Sequence, residues 1–426
     1  MKSGVLLFLL VLLVSGCANF RKLGQNLNFM DETVIVTGHI KNAADYKDVR
    51  AFVVDWDRDK KKIKSVDYCD VKGLGVFGFF VEESDNLYLM AWADSNGNDR
   101  FDKGEPAWFS MDQAGNVAPI TIHPGEPEAM GYLKPSHDYP ADLVGPAEEF
   151  YQGRHRSEVK TGWEIPINLG EVAKVSEARF SSESAQAGYW EPAGYPMKVG
   201  LGIYFTEKYD ANRTPVVFVH GAAGSPKDFE DFIATFDRKR FQLWFFHYPS
   251  GRRLSEMGAS LDRGLRLLHS HHRFEKVHVV AHSMGGLVAR RAILDNLDSK
   301  DPCIGRFVSI SSPFGGQEFA ATGVKRAPSV IPSWRDIEPK SDFLEDVFED
   351  RLLGDVEHMM LYGTKSSKSW GLPPENDGTL SVESMTFDLA VKDAVALKEY
   401  HDDHMSILSN REVIREVERF LRAGHP

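Results

Sequence analysis

An apolar run, Val277-His278-Val279-Val280-Ala281-His282, leads into Ser283-Met284-Gly285-Gly286-Leu287, and this stretch most restricts what the chain can become. Residues 277–280 have the length and β-branched content of a buried strand, and 284–294 carry apolar residues at helical spacing, so Ser283 falls on a strand-to-helix turn. Such a turn excludes bulk on either side, and Ala281 and Gly285 stand two positions from the serine. A serine hydroxyl is a weak nucleophile at neutral pH and works only when a base is brought to it. A serine presented in this way calls for a histidine and an acid elsewhere in the chain.

These residues resemble the nucleophile elbow of α/β-hydrolases, in particular the serine lipases and esterases. The usual pattern has glycine at both small positions; Ala281 departs from it, and the Ala-His-Ser-Met-Gly form is similar to that of some small bacterial lipases. Upstream, Val219-His220-Gly221-Ala222-Ala223-Gly224-Ser225 follows an apolar run, and its small residues let backbone N–H groups approach a substrate oxygen. The resemblance implies an oxyanion hole made by the amides of Ala222 and Met284. It also implies the order nucleophile, acid, histidine. Asp377, in Glu375-Asn376-Asp377-Gly378-Thr379-Leu380, resembles the acid loop of lipases and lipid acyltransferases. His404, followed by Ile407 and Leu408, matches the family's histidine, with His401 in reserve.

Residues 162–424 alternate strand and helix, which predicts an α/β fold: a mostly parallel sheet flanked by helices, with the α/β-hydrolase fold as the implied member. Strands are expected at 165–169, 198–205, 216–220, 241–247, 304–310, 356–362 and 395–397. Helices are expected at 229–236, 254–269 and 411–422. Residues 314–355 exceed an ordinary connection and carry Phe314, Phe319, Val330, Ile331, Trp334, Ile337, Phe343, Leu344 and Phe348. They form either a cap with an acyl-lining surface, as in lipases and GPI inositol-deacylase-like enzymes, or part of the main core.

The first third reads differently. Segments 33–40, 51–56, 76–81, 87–93 and 118–122 are short, apolar and separated by turn signals, which predicts a small all-β sandwich over 33–124 resembling transthyretin-like modules. Residues 125–161, rich in Pro, Gly and charge at their start, form the linker to the second domain. Within the module, Asp94, Asn96, Asn98, Arg100 (through its carbonyl), Asp102 and Glu105 follow the spacing of an EF-hand calcium loop. Asp99 stands where that loop has glycine and Pro106 bars a following helix, so a solvated Asx-rich turn is the competing reading.

At the start, Lys2 and an apolar run at 5–14 are too short for a bilayer span and read as a signal peptide, 1–16. Val14-Ser15-Gly16-Cys17 resembles a bacterial lipobox, which implies lipidation of Cys17. Ala18 after the cysteine points to the outer membrane, and 17–32 read as a polar tether. An ordinary secretory signal is the alternative. Cys69 and Cys303 are expected as free, buried thiols.

With 50 Lys and Arg against 62 Asp and Glu, the net charge of −12 is spread along the chain, which argues against nucleic-acid partners. The expectation is a membrane-anchored serine hydrolase that cleaves carboxylic, lipid acyl esters and needs no cofactor for catalysis. An acyltransferase, thioesterase or peptidase would use the same residues, and a lipid-anchored envelope-binding protein is the non-enzymatic alternative. The sequence names no protein partner.

Overall fold

The computed structural model describes residues 18–57, 59–98, 102, 104–122, 128–136, 143, 164–352, 356–365 and 372–422. The signal peptide, Cys17, Arg100 and residues 147–160 lie outside them. The chain divides into two compact units, one of residues 26–169 with 196–201, the other of the remaining described residues.

The first unit is all β. Its strands are β1 (Thr33–His39), β2 (Val49–Asp57), β3 (Lys62–Asp70), β4 (Val76–Glu82), β5 (Leu87–Ala93), β6 (Ala107–Ser110), β7 (Glu128–Pro135) and β8 (Glu164–Ile165). They hydrogen-bond in the order β3-β2-β5-β6-β7-β1-β4-β8, and every pairing is antiparallel except β1 with β7. Val36, Phe77, Phe79 and Val81 from β1 and β4 share one core with Ala51, Val53, Leu89 and Ala91 from β2 and β5. The alternation in each strand supplies this face. The opposite face of β2 and β5 is aromatic as well, with Phe52 stacked on Trp92 at 4.0 Å.

Two expectations are corrected. Residues 118–122 form no strand; Ala118 N–H donates to Ser110 O, Ser110 Oγ donates to Ala118 O, and Ile120 N–H donates to Leu87 O. Part of the expected linker, 128–135, is strand β7, closing the order between β6 and β1. Residues 18–32, read as a polar tether, are helical, because Phe20, Leu23, Leu27 and Met30 recur at helical spacing, and Leu23 is fully buried.

The second unit is a sheet ordered β16-β15-β14-β13-β11-β12-β10-β9. Its strands are β9 (Ile167–Val172), β10 (Leu201–Phe205), β11 (Thr214–Val219), β12 (Phe241–His247), β13 (Val277–His282), β14 (Ile304–Ile310), β15 (His358–Gly363) and β16 (Ala394–Tyr400). All pairings from β12 through β11 to β16 are parallel, and β10 runs antiparallel to β12. Strands β12 and β14 are buried along their whole length, as a sheet covered on both faces requires. On one face the helices Glu230–Thr235 and Arg411–Arg422 bury Phe232, Val413, Ile414 and Val417 against Phe218, Val280 and Val308. On the other, the helices Leu254–His272 and Gly285–Leu297 pack together.

From β11 the chain crosses outward to β12, then returns to place β13 on the other side of β11. The crevice at such a reversal, outside the carboxyl ends of the strands, is where open α/β sheets bind ligands.

Residues 318–349 form three short helices, Glu318–Arg326, Pro332–Ile337 and Asp342–Glu349. Phe314, Ile331, Trp334, Ile337, Phe343, Leu344 and Phe348 are buried, and only Phe319 among the large residues named for this segment stands out, 70% exposed. Most of the apolar surface of this segment is thus withdrawn from solvent. Asp336 anchors the segment by accepting the Leu254 N–H at 2.6 Å and pairing with Arg253 at 2.8 Å.

Candidate active site

Ser283 lies directly after β13 with φ at 54°, the left-handed region that a side chain occupies at a cost of about 1–3 kcal/mol. The turn is fixed from both sides: Ser283 N–H donates to Ile310 O at 2.9 Å, and Gly286 N–H donates back to Ser283 O at 2.9 Å. A Cβ on Gly285 would lie 2.4 Å from His220 O, and one on Gly286 would lie 2.0 Å from Ser312 Oγ. Two glycines therefore let the helix start against β11 and the loop after β14. Ala281 is fully buried without such a conflict, which explains why alanine serves where the usual motif has glycine.

His404 follows β16, and its Nε2 stands 2.9 Å from Ser283 Oγ. Its Nδ1 stands 2.6 Å from Asp377 Oδ2. Asp377 follows β15 in a tight turn, where its Oδ1 accepts the amides of Thr379 at 3.0 Å and Leu380 at 2.8 Å. Burial pushes the Asp377 carboxyl up, but His404 and those two amides outweigh it and hold the group below the usual carboxylate range. An ionised Asp377 fixes the imidazole with Nδ1 protonated, which leaves Nε2 able to accept the serine proton. His401 is exposed, so the reserve histidine is not the one brought to the serine.

The loop after β11 approaches the serine so closely that a Cβ on Gly221 would lie 2.7 Å from Ser283 Cβ. Ala223 adopts φ 51°, and its N–H is held by Ser250 Oγ at 2.9 Å. Tyr248 donates its hydroxyl to His220 O at 2.7 Å. Among the described residues the amides of Ala222 and Met284 take no hydrogen bond, so both remain available to an incoming oxygen. Nothing in the sequence singled out Tyr248 and Ser250 as braces of this loop; the available signal was a pair of hydroxyls just after a wholly buried strand.

His220 and His247 are fully buried and neutral, His220 pushed down to about 4 and His247 well below its ordinary value, in both cases chiefly by burial. His247 Nε2 shares a short hydrogen bond with the Tyr195 hydroxyl. Cys69 and Cys303 are buried and are not bonded to each other.

The acidic loop of the β unit closes on itself. Asp102 Oδ2 accepts from Asn96 and Asn98 at 2.6 Å each, Asp94 Oδ1 accepts the amides of Gly97 and Asn98, and Glu105 accepts those of Ser95 and Asp102. Among the described residues no three His, Cys, Asp or Glu side chains are grouped to hold a metal ion.

Residues 216–425 match a family model described as the alpha/beta hydrolase family. No curated protein matches the chain. Among solved structures, the propeptide form of the lipase BlEst2 from Bacillus licheniformis is 19% identical with a TM-score of 0.43, over 51% of this chain and 52% of that one. The match thus spans about half the length of that protein. Its mature form is 19% identical with a TM-score of 0.41, over 50% and 94%. The product of the Listeria innocua gene lin2722 is 17% identical with a TM-score of 0.39, over 50% and 96%. Residues 216–425, which contain the serine, the acid and the histidine, thus form an alpha/beta hydrolase domain.

Proposed function

We propose that this chain is a serine hydrolase that cleaves carboxylic esters, with lipid acyl esters as the substrate class, through an acyl-Ser283 intermediate. The observation that carries the reading is the unbroken line from Ser283 Oγ to His404 Nε2 at 2.9 Å and from His404 Nδ1 to Asp377 Oδ2 at 2.6 Å. His404 takes the Ser283 proton as Oγ attacks the ester carbonyl carbon, and Asp377 holds the imidazolium that forms. The amides of Ala222 and Met284 receive the tetrahedral oxyanion. His404 then protonates the departing alkoxide, and the acyl group stays on Ser283. A water, deprotonated by His404, attacks the acyl carbon and releases the acid and the free serine.

The lipobox-like Val14-Ser15-Gly16-Cys17 supports lipidation of Cys17 and export to a bacterial outer membrane, which would bring the enzyme to a lipid surface. Among the described residues no helix is long and apolar enough to cross a membrane. A Cys17→Ser change should move the protein from the membrane fraction to the soluble exported fraction, and an unchanged distribution would refute the anchor.

The test of the activity is hydrolysis of p-nitrophenyl esters from short to long acyl chains, with Ser283→Ala as control and a serine-directed phosphonate as label. Serine-dependent turnover rising with chain length supports the lipid ester reading, and a short-chain preference redirects it to small esters. Labelling of Ser283 without ester turnover points to another acyl bond or acceptor. Absence of both labelling and turnover in the folded protein refutes a catalytic role.

A further inference from the structure

His282 precedes the nucleophile and plays no part in the steps above, yet its side chain is 2% exposed and turned toward the catalytic histidine. The two imidazole rings lie 4.7 Å apart, tilted by 47°. His282 Nε2 is 2.8 Å from the main-chain oxygen of His404. A carbonyl oxygen only accepts, so the proton of this bond sits on Nε2 and the tautomer is settled. Burial above all, and then the neighbouring His404, push His282 down to about 3, so it stays neutral even while His404 carries the proton taken from serine.

His404 stands on a loop between the end of β16 and the turn Ser406–Ser409, outside any regular element. On its own side the loop is held by local bonds, Asp403 Oδ1 accepting the amides of Met405 at 3.2 Å and Ser406 at 2.8 Å. Two main-chain bonds tie His404 itself to the rest of the site: its N–H donates to Asp377 O at 2.8 Å, and its carbonyl accepts from His282. One strap comes from the acid's loop, the other from the residue next to the nucleophile. An error of about 1 Å in a reacting group costs on the order of a hundredfold in rate, so a strap from the nucleophile's own strand end is well placed to set the distance that matters.

We infer that His282 is a positioning residue that holds the main chain of His404, and through it the imidazole, at hydrogen-bonding distance from Ser283. The inference rests on the reading of His404 as the base. It assigns a role to the Nε2–H donor and not to the ring's bulk or titration.

The experiment compares His282→Leu, which keeps bulk and removes the donor, with His282→Gln, whose amide places an N–H at a similar reach. Kinetics are read below the unfolding temperature of each variant, with the rate of phosphonate labelling of Ser283 as a second readout. His282→Leu should lower kcat and the labelling rate by roughly tenfold to a hundredfold. KM should stay within about twofold, and His282→Gln should recover most of the loss. A folded His282→Leu that labels and turns over like wild type overturns the inference, as does an equal loss in both variants that follows their thermal stability. Absence of labelling in the wild type would overturn the serine hydrolase reading and this inference together, whereas a labelled wild type beside an unaffected leucine variant removes this inference alone.

Discussion

Each unit is organised around an eight-stranded sheet, and the two differ in where their strands end. In the β unit the pairings are antiparallel but for β1 with β7, so the carboxyl ends of bonded neighbours point to opposite edges and the loops are dealt out to both. In the hydrolase unit, β11, β13, β15 and β16 run parallel and all end on one edge. Ala222, Ser283, Asp377 and His404 follow those four ends. Residues 121 apart in sequence are therefore brought to 2.9 Å. The acidic loop between β5 and β6 shows the other outcome: it gathers polar side chains, which satisfy one another within a single connection. Convergence of separate loops, more than density of polar residues, marks the unit that does chemistry.

The largest effect that tests this contrast is on rate. Asp377→Asn should keep the fold and lower kcat by about 10⁴-fold, because the amide no longer fixes His404 with Nε2 unprotonated. Asn98→Ala in the acidic loop should leave kcat unchanged. Steady-state kinetics on both, with circular dichroism as the folding check, decides it; a comparable loss in Asn98→Ala would break the division of labour between the units.

The next effect is on stability. Arg290, on the helix that Ser283 starts, and Asp393, just before β16, pair at 2.7 Å with both side chains 1% exposed. The same guanidinium donates to Val347 O and Asp350 O and lies 4.1 Å over the Phe348 ring. Asp393→Ala leaves that charge buried, which should cost about 3–5 kcal/mol in urea unfolding. In the β unit, Arg50 faces Asp70 at 3.6 Å, but Asp70 is 58% exposed. Asp70→Ala should cost about 0–1 kcal/mol, since solvent already screens the pair.

The site was legible in the sequence because each part is local. The elbow, the Gly221 turn, the Asp377 turn and the His404 loop are short strings whose residue types are set by one constraint each. Strand β14 and the helix Arg411–Arg422 were likewise legible to the residue, one as an unbroken apolar run and the other as a clean amphipathic repeat. Strand β3 was hidden by the charged residues that flank Val66 and Tyr68, and β7 by Gly131 and Pro135. The apolar run 118–122 misled because apolarity alone does not supply a strand ladder. His282, Tyr248 and Ser250 were hidden for a different reason. Their partners stand 122, 28 and 27 residues away, and no local pattern encodes a bond made by the fold.

Acid acts on the buried histidines. His220, His247, His282 and His358 of the hydrolase unit are buried and pushed down chiefly by burial, His220 to about 4 and His282 to about 3. Depressed in the folded state, each contributes stability that is present above the unfolded value near 6.5 and is lost as the pH falls toward the folded value. Each should remove about 1.4 kcal/mol per pH unit within that window. Urea unfolding at pH 7 and pH 5, read by loss of phosphonate labelling at Ser283, should show the midpoint falling. An unchanged midpoint would mean these histidines are not held neutral.

The smallest predicted effect separates the two units at a single methyl group. In β7, a Cβ on Gly131 would come within 2.3 Å of Leu89, but of its terminal Cδ1. A leucine methyl can turn aside, and alanine suits a strand better than glycine does, so Gly131→Ala should cost no more than about 1 kcal/mol. At Gly285 the same methyl would meet the carbonyl oxygens of His220 and Val219 at 2.4 and 2.5 Å. Those atoms belong to β11 and the start of the loop after it and cannot rotate away, so Gly285→Ala should cost about 3 kcal/mol and depress turnover in the fraction that folds. Equal costs for the two, measured by thermal unfolding, would show that the close approach of the Ser283 turn to β11 is no tighter than ordinary packing in the β unit, and the glycine there would be a matter of turn conformation alone.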